Sequence, residues 1–163
     1  MKNRLTIAVM LLLSTLIFAC KKFDQNTVTN NYYLQAQKND VLWEATQGAY
    51  FVSSNTLSDT LTFLGSKDQE NLYMVVYKNT NGEYKIDFTK TKFYTTDQSA
   101  ISSSYLLDNT ASNVITLNIT TLNQPISGNF NLTFKKTVGN DTFPGTVVFT
   151  QGTFLLARAV LTQ

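Results

Sequence analysis

An all-β fold, an antiparallel sandwich or open barrel of about eight to ten strands, follows from three features of the sequence beyond residue 32. Apolar and polar residues alternate in short runs, and the runs are rich in β-branched and aromatic residues. Clusters of Asn, Asp and Gly break them at short intervals.

The elements appear in order. An early hairpin turns at Lys38-Asn39-Asp40 and runs into Leu42-Trp43. Asp59 to Leu64 places Leu61 and Phe63 on one face, and Leu72 to Tyr77 is apolar on both faces, as a central strand requires. Tyr84, Ile86 and Phe88 alternate with Lys85 and Asp87. The stretch Lys90 to Ser104 has no clear period and reads as one edge strand and a loop. Ile115, Leu117 and Ile119 form the next run, followed by Phe130, Leu132 and Phe134. Val147 with Phe149, and Phe154 with Leu156, read as two short closing strands. Turns are expected at Lys67 to Asn71, Asn79 to Gly82, Asp108 to Asn113, Gln124 to Gly128, Gly139 to Asp141 and Gln151-Gly152, with Asn81-Gly82 the strongest tight-hairpin dipeptide. Gly128 and Gly152 are expected to supply a positive φ just before strands.

The N-terminus has a different character. Met1 to Arg4 is basic, and Leu5 to Phe18 is uncharged but shorter than the roughly 20 residues a membrane-spanning helix needs. A basic start, an apolar middle and a small Ala19 describe a secretory signal helix over residues 1–19. Ile17-Phe18-Ala19-Cys20 resembles a bacterial lipobox, with Phe18 bulkier than the usual residue at its position. The resemblance implies cleavage between Ala19 and Cys20 and lipidation of the Cys20 thiolate, the strong nucleophile at that junction. Two or three acyl chains, at about 0.8 kcal/mol per buried CH₂, anchor a protein where one chain does not. An uncleaved anchor and an ordinary signal peptide with an incidental cysteine are the alternatives. Cys20 is the only cysteine, so no internal disulfide can form, and lipidation would account for an exported lone thiol.

Residues 20–32 read as the lipidated cysteine and a polar, Asn/Thr-rich tether, and residues 33–163 as the β-domain. Of the 13 Lys and Arg, Lys2 and Arg4 leave with the signal, and the remaining 11 face 11 Asp and Glu. A neutral mature chain with no basic patch argues against nucleic acid as a partner.

Four motifs resemble, in order and spacing, a family of small Bacteroidetes lipoproteins of uncharacterised function. They are Trp43-Glu44-Ala45, Gly82-Glu83-Tyr84, Ile126-Ser127-Gly128-Asn129-Phe130 and Gln151-Gly152-Thr153-Phe154. The glycine usual before the tryptophan strand is replaced by Asn39-Asp40. The resemblance spans residues 33 to 158 and implies an outer-membrane-anchored β-sandwich with no catalytic residues to carry over. By further resemblance, Lys21 in place of Asp after the cysteine implies sorting to the outer membrane. The single acid in Lys21-Lys22-Phe23-Asp24 implies the periplasmic face over the cell surface. Asp59-Thr60-Leu61 resembles an O-glycosylation acceptor of exported proteins in those bacteria.

Catalysis has little to work with. There is no histidine, which removes histidine-based nucleophilic schemes and the commonest metal ligand, and lipidation would consume the only thiol. Phosphate-binding glycine loops and a G-x-S-x-G elbow are also absent. Asp68 to Asn71 offers oxygen ligands but lacks the spacing of a calcium loop and reads as a hairpin tip. The chain is therefore expected not to be an enzyme, to need no cofactor or metal, and to act as an envelope structural or interaction accessory for protein or peptidoglycan. The alternative is a carbohydrate-binding module, with Trp43, Tyr73, Tyr77 and Tyr84 as the candidate aromatic platform, among a wider set that includes Phe88, Tyr94 and Tyr105. For Trp43 a place in the core competes with that role.

Overall fold

The computed structural model describes residues 32–55, 58–98, 100–139 and 142–159, so the expected signal over 1–19, the expected lipidation at Cys20 and most of the expected tether lie outside the described residues. Among the described residues eleven strands follow one another: β1 (Tyr33–Lys38), β2 (Val41–Glu44), β3 (Gln47–Asn55), β4 (Ser58–Lys67), β5 (Glu70–Lys78), β6 (Tyr84–Ile86), β7 (Lys92–Asp97), β8 (Ala100–Leu107), β9 (Val114–Asn118), β10 (Ile126–Gly139) and β11 (Thr146–Leu156). All belong to one antiparallel sheet, ordered β2-β1-β11-β10-β8-β7-β5-β4-β3, with β6 added to β5 and β9 to β10. The sheet curls on itself. The chain just after β11 meets the far edge of β3, where Tyr50 N–H donates to the Ala157 carbonyl at 3.0 Å and Ala159 N–H to that of Tyr50 at 2.8 Å. The open-barrel form of the expected fold is the one realised.

The period-two runs point where their spacing requires. Leu34, Leu61, Phe63, Leu72, Met74, Phe134, Phe149 and Leu156 are wholly buried in a single interior. Within it Phe149 lies 5.5 Å from both Trp43 and Phe93 and 5.9 Å from Phe134, all three edge-on, a geometry that suits the ring quadrupoles. One end of the interior is crossed by an ion pair between Lys38 and Glu70, the ammonium also lying 5.6 Å above the Phe93 ring.

Three local expectations are corrected. Lys90 to Ser104 holds two strands, β7 and β8, inside the sheet and not at its edge. The hydroxyl residues that blur its period are paired with one another: Thr95 Oγ1 lies 2.7 Å from the hydroxyls of Ser102 and of buried Ser103. Gln151-Gly152 is not a turn but part of the continuous β11. The register shifts there on both flanks, and Gln151 adopts φ 53° while its N–H donates to the Asn131 side chain at 2.8 Å. This bulge moves the inward phase by one residue, so a single strand reads as two. Finally, Asn81-Gly82 belongs to a five-residue loop. The Asn79 side-chain carbonyl accepts from the N–H groups of Asn81 and Glu83, at 3.0 and 2.9 Å. Asn39-Asp40 is instead a tight two-residue turn, with φ angles of 48° and 65°, the left-handed pair such a hairpin needs.

The sheet also forks. One edge of β5 is shared by β7, along Glu70 to Tyr73, and by β6, along Val76 to Lys78. One edge of β10 is shared in the same way by β9 and β8. β7 and β8 pair and carry the sheet across, whereas β6 and β9 face each other unpaired. Two of the buried polar residues sit at the branch points. Thr91, with no exposed surface, replaces the missing ladder on β5: its hydroxyl accepts from Val75 N–H at 3.0 Å and donates to the Val75 carbonyl at 3.2 Å. Thr91→Val keeps the shape and strands the Val75 N–H, while the Val75 carbonyl still accepts from Asp87 N–H at 2.8 Å, so a loss of about 1–3 kcal/mol is expected in chemical denaturation. A loss under about 0.5 kcal/mol would show that water replaces the hydroxyl.

Candidate binding surface

The fork leaves a groove of about 480 Å³ between β6 and β9, lined by Tyr77, Tyr84, Lys85, Ile86, Phe88, Asn113, Val114 and Ile115. Its volume falls within the range of small-ligand sites. Each wall has a sequence origin. Tyr77 lies on the outward face of β5, cross-strand from Lys85, while Tyr84 and Ile86 alternate with Lys85 and pack toward the core. Phe88 projects from the 87–91 connection, 41% exposed. That connection is wound tightly by Asp87, whose carboxylate accepts from Thr89 N–H, Thr89 hydroxyl and Lys90 N–H at 3.0, 2.7 and 3.2 Å.

The opposite wall hangs on the 108–113 loop. Asp108 accepts from the Thr110 hydroxyl at 2.7 Å and its N–H at 2.9 Å, and Lys135 Nζ lies 3.0 Å away. Asn113 straddles two elements, donating to the Asp108 carbonyl at 2.6 Å and accepting from Thr133 N–H at 2.8 Å. The Thr110 hydrogen bonds, followed by Lys135, hold the Asp108 carboxyl at a pKa of about 2. A depressed carboxyl stabilises the fold above the unfolded value near 3.9 and loses that contribution as pH falls toward about 2. The stability gap between wild type and Asp108→Asn is therefore expected to be constant above about pH 5 and to shrink between pH 4 and 2. A gap independent of pH over that window would refute the carboxylate's role.

The four candidate aromatics do not form one platform. Trp43 is only 1% exposed, edge-on to Phe149, and is removed from the surface set: its place on the inward face of β2 makes it a core residue. Tyr105 is equally buried, its hydroxyl donating to the Pro144 carbonyl at 3.0 Å. Tyr73 is half-buried on the outer face, stacked on Tyr94 with ring centres 5.6 Å apart and hydroxyls 3.4 Å apart. Lys92 Nζ stands over both rings, at 5.4 and 5.8 Å. Burial, and then the Tyr73 hydroxyl, push the Tyr94 pKa up to about 12. Only Tyr77 and Tyr84 of the four share a site, joined there by Phe88. Asn113, Val114 and Ile115 come to it from beyond the fork, and no local pattern announces them.

Elsewhere, Glu70 and Asn71 are occupied, by Lys38 and by the Ser66 hydroxyl, which fits the hairpin-tip reading of that turn. Among the described residues no three of His, Cys, Asp and Glu gather as metal ligands. Thr60 lies half-buried in β4, between Ser53 and Tyr77.

A family model described as a domain of unknown function (DUF6252) matches residues 30–156, most of the chain. The chain belongs to that family. The matched span of the DUF6252 domain runs from just before β1 to the last residue of β11, so both branches of the fork and the whole groove lie inside it. No curated protein and no solved structure matches the chain.

Proposed function

We propose that this DUF6252 protein is an outer-membrane lipoprotein, held by acyl chains on Cys20 after cleavage behind Ala19 and facing the periplasm. Its β-domain is a non-catalytic interaction module that engages an envelope partner. The resemblance to Bacteroidetes lipoproteins and the lipobox-like Ile17-Phe18-Ala19-Cys20 support the anchor.

One structural observation carries the module reading. The acidic groups around the groove serve as loop clamps, Asp87 and Asp108 above all, while the groove itself presents rings and hydroxyls. Such a lining recognises surfaces and is poorly equipped for proton transfer. The same lining favours the second reading, a carbohydrate-binding module.

Metabolic labelling with a palmitate analogue tests the anchor. Label is expected on the wild type and not on Cys20→Ser, and an unlabelled wild type sinks it. Because Cys20→Ser can persist in the membrane as an uncleaved precursor, the label and not fractionation is the deciding readout.

A further inference from the structure

We infer that the groove between β6 and β9 is a binding site for a neutral pyranose, with Tyr77, Tyr84 and Phe88 as its ring contacts. The inference rests on the module reading above and names the ligand class for that module.

The tyrosine hydroxyls set this groove apart from the barrel interior and from the Tyr73–Tyr94 stack. Those of Tyr50, Tyr73, Tyr94 and Tyr105 are all engaged with carbonyls or with each other. Tyr77 and Tyr84 line the groove with hydroxyls that bond to no described residue. A half-buried phenol normally finds a partner for its polar end. Tyr84 is such a phenol, and with the exposed Tyr77 hydroxyl in the same groove it leaves donors and acceptors for a ligand.

The rings and the charges select its chemistry. Pyranoses carry apolar C–H faces that lie on aromatic rings, with hydroxyls around their edges for phenols and charged groups. Lys85 supplies an ammonium on the lining, 3.0 Å from Glu83. Asp59 lies close enough to the Tyr84 hydroxyl to add to the effect of burial in raising its pKa. Lys85 is paired with Glu83, and around Tyr84 the Lys78 ammonium, 5.9 Å over the ring, is offset by Asp59. The charges near the groove thus balance in sign and favour an uncharged polyol over an ion. The groove is open, so the bound sugar can belong to a chain whose remainder stays in solvent.

The test uses the full chain in an amine-oxide detergent, which has no sugar headgroup. Cellotriose, maltotriose, mannotriose and the N-acetylglucosamine trimer are titrated with saturation-transfer NMR as the readout. At least one trimer is expected to bind saturably. Phe88→Ala and Tyr77→Ala should each weaken it roughly tenfold without lowering Tm, and Tyr77→Phe, which keeps the ring, should weaken it less.

Saturable binding unchanged in a Phe88→Ala/Tyr77→Ala protein of normal Tm overturns the site. A random extended octapeptide pool that protects the groove from exchange while no trimer binds overturns the sugar and keeps the module. Neither probe binding overturns both.

Discussion

Phe149→Ala is expected to lower the unfolding free energy by about 3–5 kcal/mol, among the largest losses open to a single side chain here. Phe149 has no exposed surface and is the one ring in contact with Trp43, Phe93, Phe130 and Phe134 together. Those neighbours come from β2, β7 and β10, strands spread around the barrel, so no local relaxation fills the space left behind. Domains are marginally stable, by about 5–15 kcal/mol, and the loss would consume a large share of that margin. It should appear as a lower denaturant midpoint at an unchanged slope. Phe88→Ala, at the exposed lip of the groove, should stay within about 0.5 kcal/mol of wild type. If the two variants prove similar, the barrel interior does not carry the fold.

Gly152→Ala and Gly128→Ala form the second pair, for a reason opposite to that expected at the outset. Neither glycine has a positive φ; both sit inside strands. The register places Gly128 beside Phe154 and Gly152 beside Phe130, so each glycine lies under the ring of its neighbour. A Cβ on Gly152 would come within 2.5 Å of the Phe130 ring. On Gly128 it would come within 2.6 Å of Phe154 and 2.2 Å of the Thr116 carbonyl. Overpacking of this kind costs about 1–3 kcal/mol, and more where backbone must shift.

The two clashes differ in what relieves them. Gly152→Ala should be partly rescued by Phe130→Leu, because the obstacle there is a side chain. Gly128→Ala should not be rescued by Phe154→Leu, because the Thr116 oxygen remains. A double-mutant cycle resolves the coupling, expected at about 0.5–3 kcal/mol for the first pair. No coupling at Gly152, or full rescue at Gly128, would contradict the packing described.

The motifs that carried the family resemblance thus have a packing meaning. Ile126 to Phe130 and Gln151 to Phe154 are two halves of one reciprocal glycine–phenylalanine contact across β10 and β11. The residue types were visible in the sequence, but their pairing was not, because it depends on the register that brings together residues more than twenty positions apart on β10 and β11. The aromatic set illustrates the same limit. Trp43, Tyr73, Tyr77 and Tyr84 look alike as letters in strand-like runs, and one is core, one stacks on Tyr94 and two meet in the groove.

What the sequence determined by itself is the strand class and the inward residues, since period two is a property of neighbouring positions on one chain. The proposed export signal and lipidation of Cys20 are likewise argued from contiguous residues alone. The tertiary structure decided the rest. That β6 and β9 part while β7 and β8 pair, that Thr91 and Asp108 hold the branch points, and that Val114 and Ile115 come to face Tyr84 are outcomes of non-local pairing. A groove made by strands that fail to pair leaves no trace in either strand's own pattern, because each satisfies its apolar alternation whether or not a partner lies beside it.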